Sequence, residues 1–132
     1  MILDSSAVVA VIEGEAEAPM LIRRLVDDDA TVIAAPTVVE ASVVLQGRRA
    51  HRGITDLLAF LAEFDVRVMP FGEEQWRQAA GAFARFGEGR HPAALNLGDC
   101  YSYAAAKTSG QPLLCLGADF AQTDLELVPL TA

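Results

Sequence analysis

One handover recurs along this chain and restricts what it can fold into. A short apolar run stops at a polar or turn residue, and a longer stretch with helical spacing follows. Met1–Leu3 stops at Asp4, Thr31–Ala34 is apolar and β-branched, and Val66, Val68 and Phe71 alternate as strand residues do. Leu113–Leu116 and Leu127–Leu130 are two further strand candidates. Helical spacing marks Ser5–Ile12, ended by Gly14, and a second stretch with Ala18, Leu21, Ile22, Leu25 and Val26 on one face. It also marks a helix running from Pro36 to about Arg49 and a fourth helix carrying Ile54, Leu57, Leu58 and Leu61. Glu73–Phe86 reads as a helix with Trp76, Ala80 and Phe83 on its inner face, and Asp99–Lys107 as an alanine-rich helix. The expected order is close to βααβααβαβαβ. Such alternation predicts an α/β sandwich around a mostly parallel sheet, whose functional crevice lies at the carboxyl ends of the strands.

The acidic residues fall at that edge. Asp4 ends the first strand and Asp119 follows the Leu113–Leu116 strand, in Leu116-Gly117-Ala118-Asp119-Phe120. Glu40 lies among valines early in the helix after the second strand, where a buried lone charge needs a partner. Asp99 opens a helix for which Asn96 is a natural N-cap. Each acid alone has a structural reading, as a cap, a dipole-favoured acid or a solvent-facing charge. Three or four hard oxygen donors converging on one edge repel each other unless a cation binds them, and Mg²⁺ or Mn²⁺ suits carboxylates and water. The residues alone therefore point to metal-dependent phosphoryl transfer or nuclease chemistry.

With 132 residues, 52% of them hydrophobic, the chain reads as one domain over positions 1–132. No run approaches the length of a membrane span. The opening Met1-Ile2-Leu3-Asp4 has no basic n-region, so the expected location is cytoplasmic. Cys100 and Cys115 are expected to be buried and unpaired, and no Cys/His spacing suits zinc. His51 and His91 read as surface residues. Asp27-Asp28-Asp29 reads as a loop, because consecutive side chains do not converge on one point. A net charge of −8 counts against nucleic-acid binding, unless carboxylates face a metal or a basic partner neutralises them. Arg48, Arg49 and Arg52 cluster and are candidates for gripping an RNA backbone.

The run Ile2-Leu3-Asp4-Ser5-Ser6-Ala7 resembles the opening of PIN-domain nucleases of the VapC type. Thr37-Val38-Val39-Glu40-Ala41 is similar to the second motif of that family and Leu95-Asn96-Leu97-Gly98-Asp99-Cys100-Tyr101-Ser102-Tyr103-Ala104 to the third. Leu116-Gly117-Ala118-Asp119-Phe120-Ala121-Gln122-Thr123-Asp124 resembles the fourth. The motifs come in family order over nearly the whole chain. The resemblance implies a PIN-like three-layer α/β/α sandwich and Mg²⁺- or Mn²⁺-dependent cleavage of RNA. It also implies restraint by a VapB-like antitoxin, and homodimers. It makes Asp4, Glu40 and Asp99 the metal-site acids, with Ser6 holding Asp4 or a metal-bound water. Relatives often carry two adjacent polar or acidic residues before the phenylalanine, and here the first of them is Ala118. Asp119 takes the fourth role, with Asp124 in reserve.

Other acid-bearing folds fit less well. A haloacid-dehalogenase-like phosphatase needs a second Asp where Ser6 stands, and a receiver domain needs an Asp where Met69-Pro70-Phe71 stands. A dinucleotide fold needs a glycine-rich turn after the first strand. The remaining alternative is a PIN-like scaffold that binds RNA or a partner without cutting, for which Ala118 is the motive.

Overall fold

The computed structural model describes residues 1–131. Its elements are β1 (Ile2–Leu3), α1 (Ser5–Glu13), α2 (Ala18–Asp27), β2 (Val32–Ala34), α3 (Ala35–Arg49), α4 (Arg52–Glu63), β3 (Arg67–Met69), α5 (Glu73–Phe86), α6 (Leu97–Ser109) and β4 (Leu113–Leu114), followed by a 3₁₀ turn at Phe120–Gln122. The strands form one sheet in the order β3-β2-β1-β4, and every pairing is parallel.

Both faces of the sheet are covered, which is why its strands read as continuous apolar runs. Ile2, Ala34 and Leu113 point into a core shared with Phe86 of α5 and Tyr103, Ala104 and Ala105 of α6. Leu3, Ile33 and Leu114 point the other way, into a core shared with Val8 of α1, Leu21 of α2, Leu45 of α3 and Leu57 of α4. The result is the expected α/β/α sandwich. No helix among the described residues is long and apolar enough to cross a membrane. The chain leaves β1 toward β2 and later returns to place β4 on the other side of β1. The topological switch point, where such sheets open a crevice, therefore lies between the carboxyl ends of β1 and β4.

Several expectations need correction. No strand separates α5 from α6; their loop carries only a single bridge between Gly87 and Leu95. Leu127–Leu130 is not a strand but one bridge, Leu113 to Leu127. Val128 N–H donates to Leu113 O at 2.8 Å, and then Pro129, with no N–H to give, ends the ladder. The inner face of α5 is Ala79, Ala82 and Phe86, not Trp76, Ala80 and Phe83. Trp76 is 50% exposed and Phe83 38%. The cause is α6, whose buried face is largely alanine and draws the helices close, so small residues of α5 face it. The guanidinium groups of Arg77 and Arg90 lie over the displaced Trp76 and Phe83 rings. Ile22 and Val26 of α2 and Ile54 and Leu58 of α4 are likewise exposed.

Candidate active site

Asp4 is the first residue after β1 and the N-cap of α1. It is almost fully buried, and both of its carboxylate oxygens are engaged. Oδ2 accepts from Ser6 N at 3.1 Å and from Ser6 Oγ at 2.6 Å. Oδ1 accepts from Ser102 Oγ of α6 at 2.6 Å. Ser6 Oγ in turn accepts from Leu116 N at 3.0 Å, which ties the end of β4 to the end of β1. A buried carboxylate is tolerable only when hydrogen-bonded, and two serines on two helices satisfy this one.

Asp99 enters from α6 as the third helical residue. It forms a capping box, with Asp99 N donating to Asn96 Oδ1 at 2.9 Å and Asn96 N donating to Asp99 Oδ2 at 3.1 Å. Burial pushes its pKa up to about 6, against the opposing backbone hydrogen bond from Asn96; the charges of Asp4, Asp119 and Glu40 add to the rise. Those Coulomb effects place the four acids in one electrostatic neighbourhood.

Glu40 reaches the same place from the second turn of α3. Its carboxylate lies against Gly98 in the first turn of α6, where a Cβ would overlap it and stand 2.9 Å from Oε1. Oε1 is buried without any hydrogen-bond partner. Burial raises the Glu40 pKa, the Ser5 hydroxyl opposes the rise and the Asp4 charge adds to it. A buried carboxylate oxygen with no donor, near Asp4 and Asp99, calls for a proton or a cation. Among the described residues no three carboxylate, imidazole or thiol side chains already stand together as a ready ligand set. Asp99 still turns one oxygen back to its own helix cap.

Asp119 is exposed just before the 3₁₀ turn, and its neighbour Ala118 offers no donor. Asp124 stands apart from the cluster, because its oxygens are taken by Tyr103 Oη at 2.7 Å, Lys107 Nζ at 2.7 Å and Arg85 at 3.4 Å. The arginines divide. Arg49 is clamped by Glu13 at 3.2 Å, Asp56 at 2.8 Å and Ile12 O at 2.9 Å, which corrects its reading as a free RNA-gripping cation. Arg48 is half exposed, with Glu15 at 3.8 Å, and lines a cavity of about 410 Å³ with Ser5, Ser6, Val44 and Gly117. Arg52 is exposed at the start of α4.

Cys100 and Cys115 are buried and free, and burial pushes their thiols up to about 11 and about 12. His51 is exposed. His91 is held by Ala93 N at 3.0 Å and stands edge-on to the Phe86 ring. Ser102 and Gly98 are the site residues that the sequence reading missed. Only the three-residue spacing of Ser102 from Asp99, which sets both on one side of a helix, hinted at it.

The PIN domain family matches residues 1–126 of this chain. Ribonuclease VapC36 of Mycobacterium tuberculosis is 43% identical over 127 residues, covering 96% of this chain and 91% of that protein. Ribonuclease VapC of Mycolicibacterium smegmatis is 38% identical over 128 residues, covering 97% of this chain and 99% of that protein. Among solved structures, VapC20 of M. tuberculosis, described as a toxin that cleaves the sarcin–ricin loop, aligns with a TM-score of 0.78 at 20% identity, covering 96% of this chain and 97% of that one. A chain of a toxin–antitoxin complex from Klebsiella pneumoniae aligns with a TM-score of 0.72 at 14% identity, covering 98% of this chain and 97% of that one. The two structural likenesses are likenesses of fold.

Proposed function

The chain belongs to the PIN-domain family, in its VapC ribonuclease branch, and we propose that it is the endoribonuclease toxin of a type II toxin–antitoxin pair, dependent on Mg²⁺ or Mn²⁺. The observation that carries the metal dependence is Glu40 Oε1, buried and unpartnered beside Asp4 and Asp99. Oxygen donors of this hardness fit Mg²⁺ or Mn²⁺ better than softer ions.

Asp4 and Asp99 are the residues to hold the ion, with Asp119 contributing from the exposed side. When bound, the cation supplies charge against the scissile phosphate and lowers the pKa of a water. Asp4 is held fixed between Ser6 and Ser102. Asp99 would hold the ion with the carboxylate that now caps the start of its own helix. Glu40 orients the attacking water and accepts its proton at Oε1, the oxygen with no competing donor. Arg48 and Arg52 remain exposed for backbone phosphates, whereas Arg49 is spent within the fold. The proposed setting is the cytoplasm, with a homodimer and a VapB-like antitoxin as partners. Toxin–antitoxin complexes among proteins of this fold support the antitoxin.

The test is incubation of the antitoxin-free chain with total bacterial RNA under Mg²⁺, Mn²⁺ or EDTA, beside Asp99→Asn. Discrete metal-dependent cuts that the variant lacks are expected. Ala118, which supplies no ligand where relatives often do, favours a second reading, an RNA- or partner-binding scaffold. A folded wild-type chain that cuts nothing under either metal would favour that reading and overturn the first.

A further inference from the structure

We propose that Ser102 is a positioning residue that locks the Asp4 carboxylate in the orientation a divalent cation needs; this rests on the metal-dependent reading above. Ser102 is fully buried on α6, three residues after Asp99. A serine inside a helix commonly returns its hydroxyl to the carbonyl one turn back. Ser109 on the same helix does so, donating to Ala105 O at 2.7 Å. Ser102 instead donates across the fold to Asp4 Oδ1 at 2.6 Å, spanning 98 positions of sequence.

Oδ1 is thereby held by Ser102 and Oδ2 by Ser6. A carboxylate has about four acceptor directions; Ser6 N and Ser6 Oγ take the two on Oδ2 and Ser102 takes one on Oδ1, which fixes the plane and leaves the second direction of Oδ1 for a cation. Water cannot stand in for Ser102, because Asp4 is only 4% exposed. One rigid helix then delivers both Asp99 and the brace on Asp4, so the seating of α6 sets the relation between the two acids. Outer hydrogen bonds of this kind orient metal ligands.

The full chain is titrated with Mn²⁺, following free Mn²⁺ by electron paramagnetic resonance, as wild type, Ser102→Ala and Cys100→Ala. Cys100 is buried on the same helix and donates no hydrogen bond to Asp4 or Glu40. Circular dichroism confirms that each variant is folded. Ser102→Ala is expected to bind Mn²⁺ about 10- to 100-fold more weakly, with kcat lowered and KM for RNA unchanged. Cys100→Ala is expected to melt earlier but bind Mn²⁺ as wild type does. Equal Mn²⁺ affinity in a folded Ser102→Ala overturns the proposal, and so does an equal loss in Cys100→Ala, which would mark a packing effect. If Ser102→Ala does not fold, Ser102→Thr keeps the hydroxyl and is expected to bind Mn²⁺ as wild type does. A folded threonine variant that fails to bind would overturn it. Wild-type protein that binds no Mn²⁺ overturns the metal reading itself, and this proposal with it.

Discussion

Gly98→Ala separates stability from activity. Gly98 is the second residue of α6, and a Cβ built there overlaps the Glu40 carboxylate. In an isolated helix, replacing glycine by alanine is favourable by about 0.5–1 kcal/mol. Little opposes that gain, since the overlapping group is the end of a flexible side chain that χ rotation can move outward. Moving Glu40 out also relieves the burial that raises its pKa. The melting temperature is therefore expected to hold or to rise by a few degrees. Cleavage should fare very differently. A proton acceptor contributes about 10²–10⁴-fold, and a displacement of about 1 Å can cost about 10²-fold. Initial rates on a defined RNA with Mn²⁺, paired with calorimetry, read both quantities. Glu40→Gln should show a similar loss, and adding Gly98→Ala to it should cost little more, because both act through one carboxylate. Wild-type cleavage by Gly98→Ala at an unchanged melting temperature would refute the placing of Glu40 in the reaction.

Three further outcomes are expected. Because Asp99 is raised to about 6 from an ordinary value near 3.8, the folded metal-free chain binds more protons than the unfolded chain in that window. Its contribution to stability is thus largest at the acid end and falls as pH rises from about 4 to about 6, by well under about 3 kcal/mol because solvent screens a half-buried carboxylate. Asp99→Asn should flatten that slope in urea titrations, and an unchanged slope would place the shift elsewhere. Arg49→Ala, which strips partners from Glu13, Asp56 and Ile12 O, should lower the urea midpoint while cleavage per folded molecule holds. Arg48→Ala should leave the melt alone and raise KM, so the same urea and kinetic series distinguishes clamp from grip. On α5, Phe86→Ala should cost about 3–5 kcal/mol, whereas Trp76→Ser should change stability by less than about 1 kcal/mol; equal losses would contradict the observed inward face.

What was legible in the sequence was legible because it is local. An acid directly after an apolar run, Asn96 three residues before Asp99, and Gly14 after a helical stretch each carry their meaning within a few positions. The structure realises them as the Asp4 cap, the Asn96–Asp99 capping box and a left-handed C-cap at Gly14. What stayed hidden depends on contacts that local spacing does not encode. Helix α5 offers two stripes, Trp76–Ala80–Phe83 and Ala79–Ala82–Phe86, and periodicity cannot choose between them; the alanine face of α6 does. Arg49 looked like one of three equivalent cations until Glu13 and Asp56 arrived from two other helices. Ser102 and Gly98 are small residues inside a helix motif, silent until β1 and α3 bring Asp4 and Glu40 against them. The candidate acids could be read one by one because each marks an element boundary. Their supports could not, because a support is defined by the residue it holds, and here that residue lies on another element of the fold.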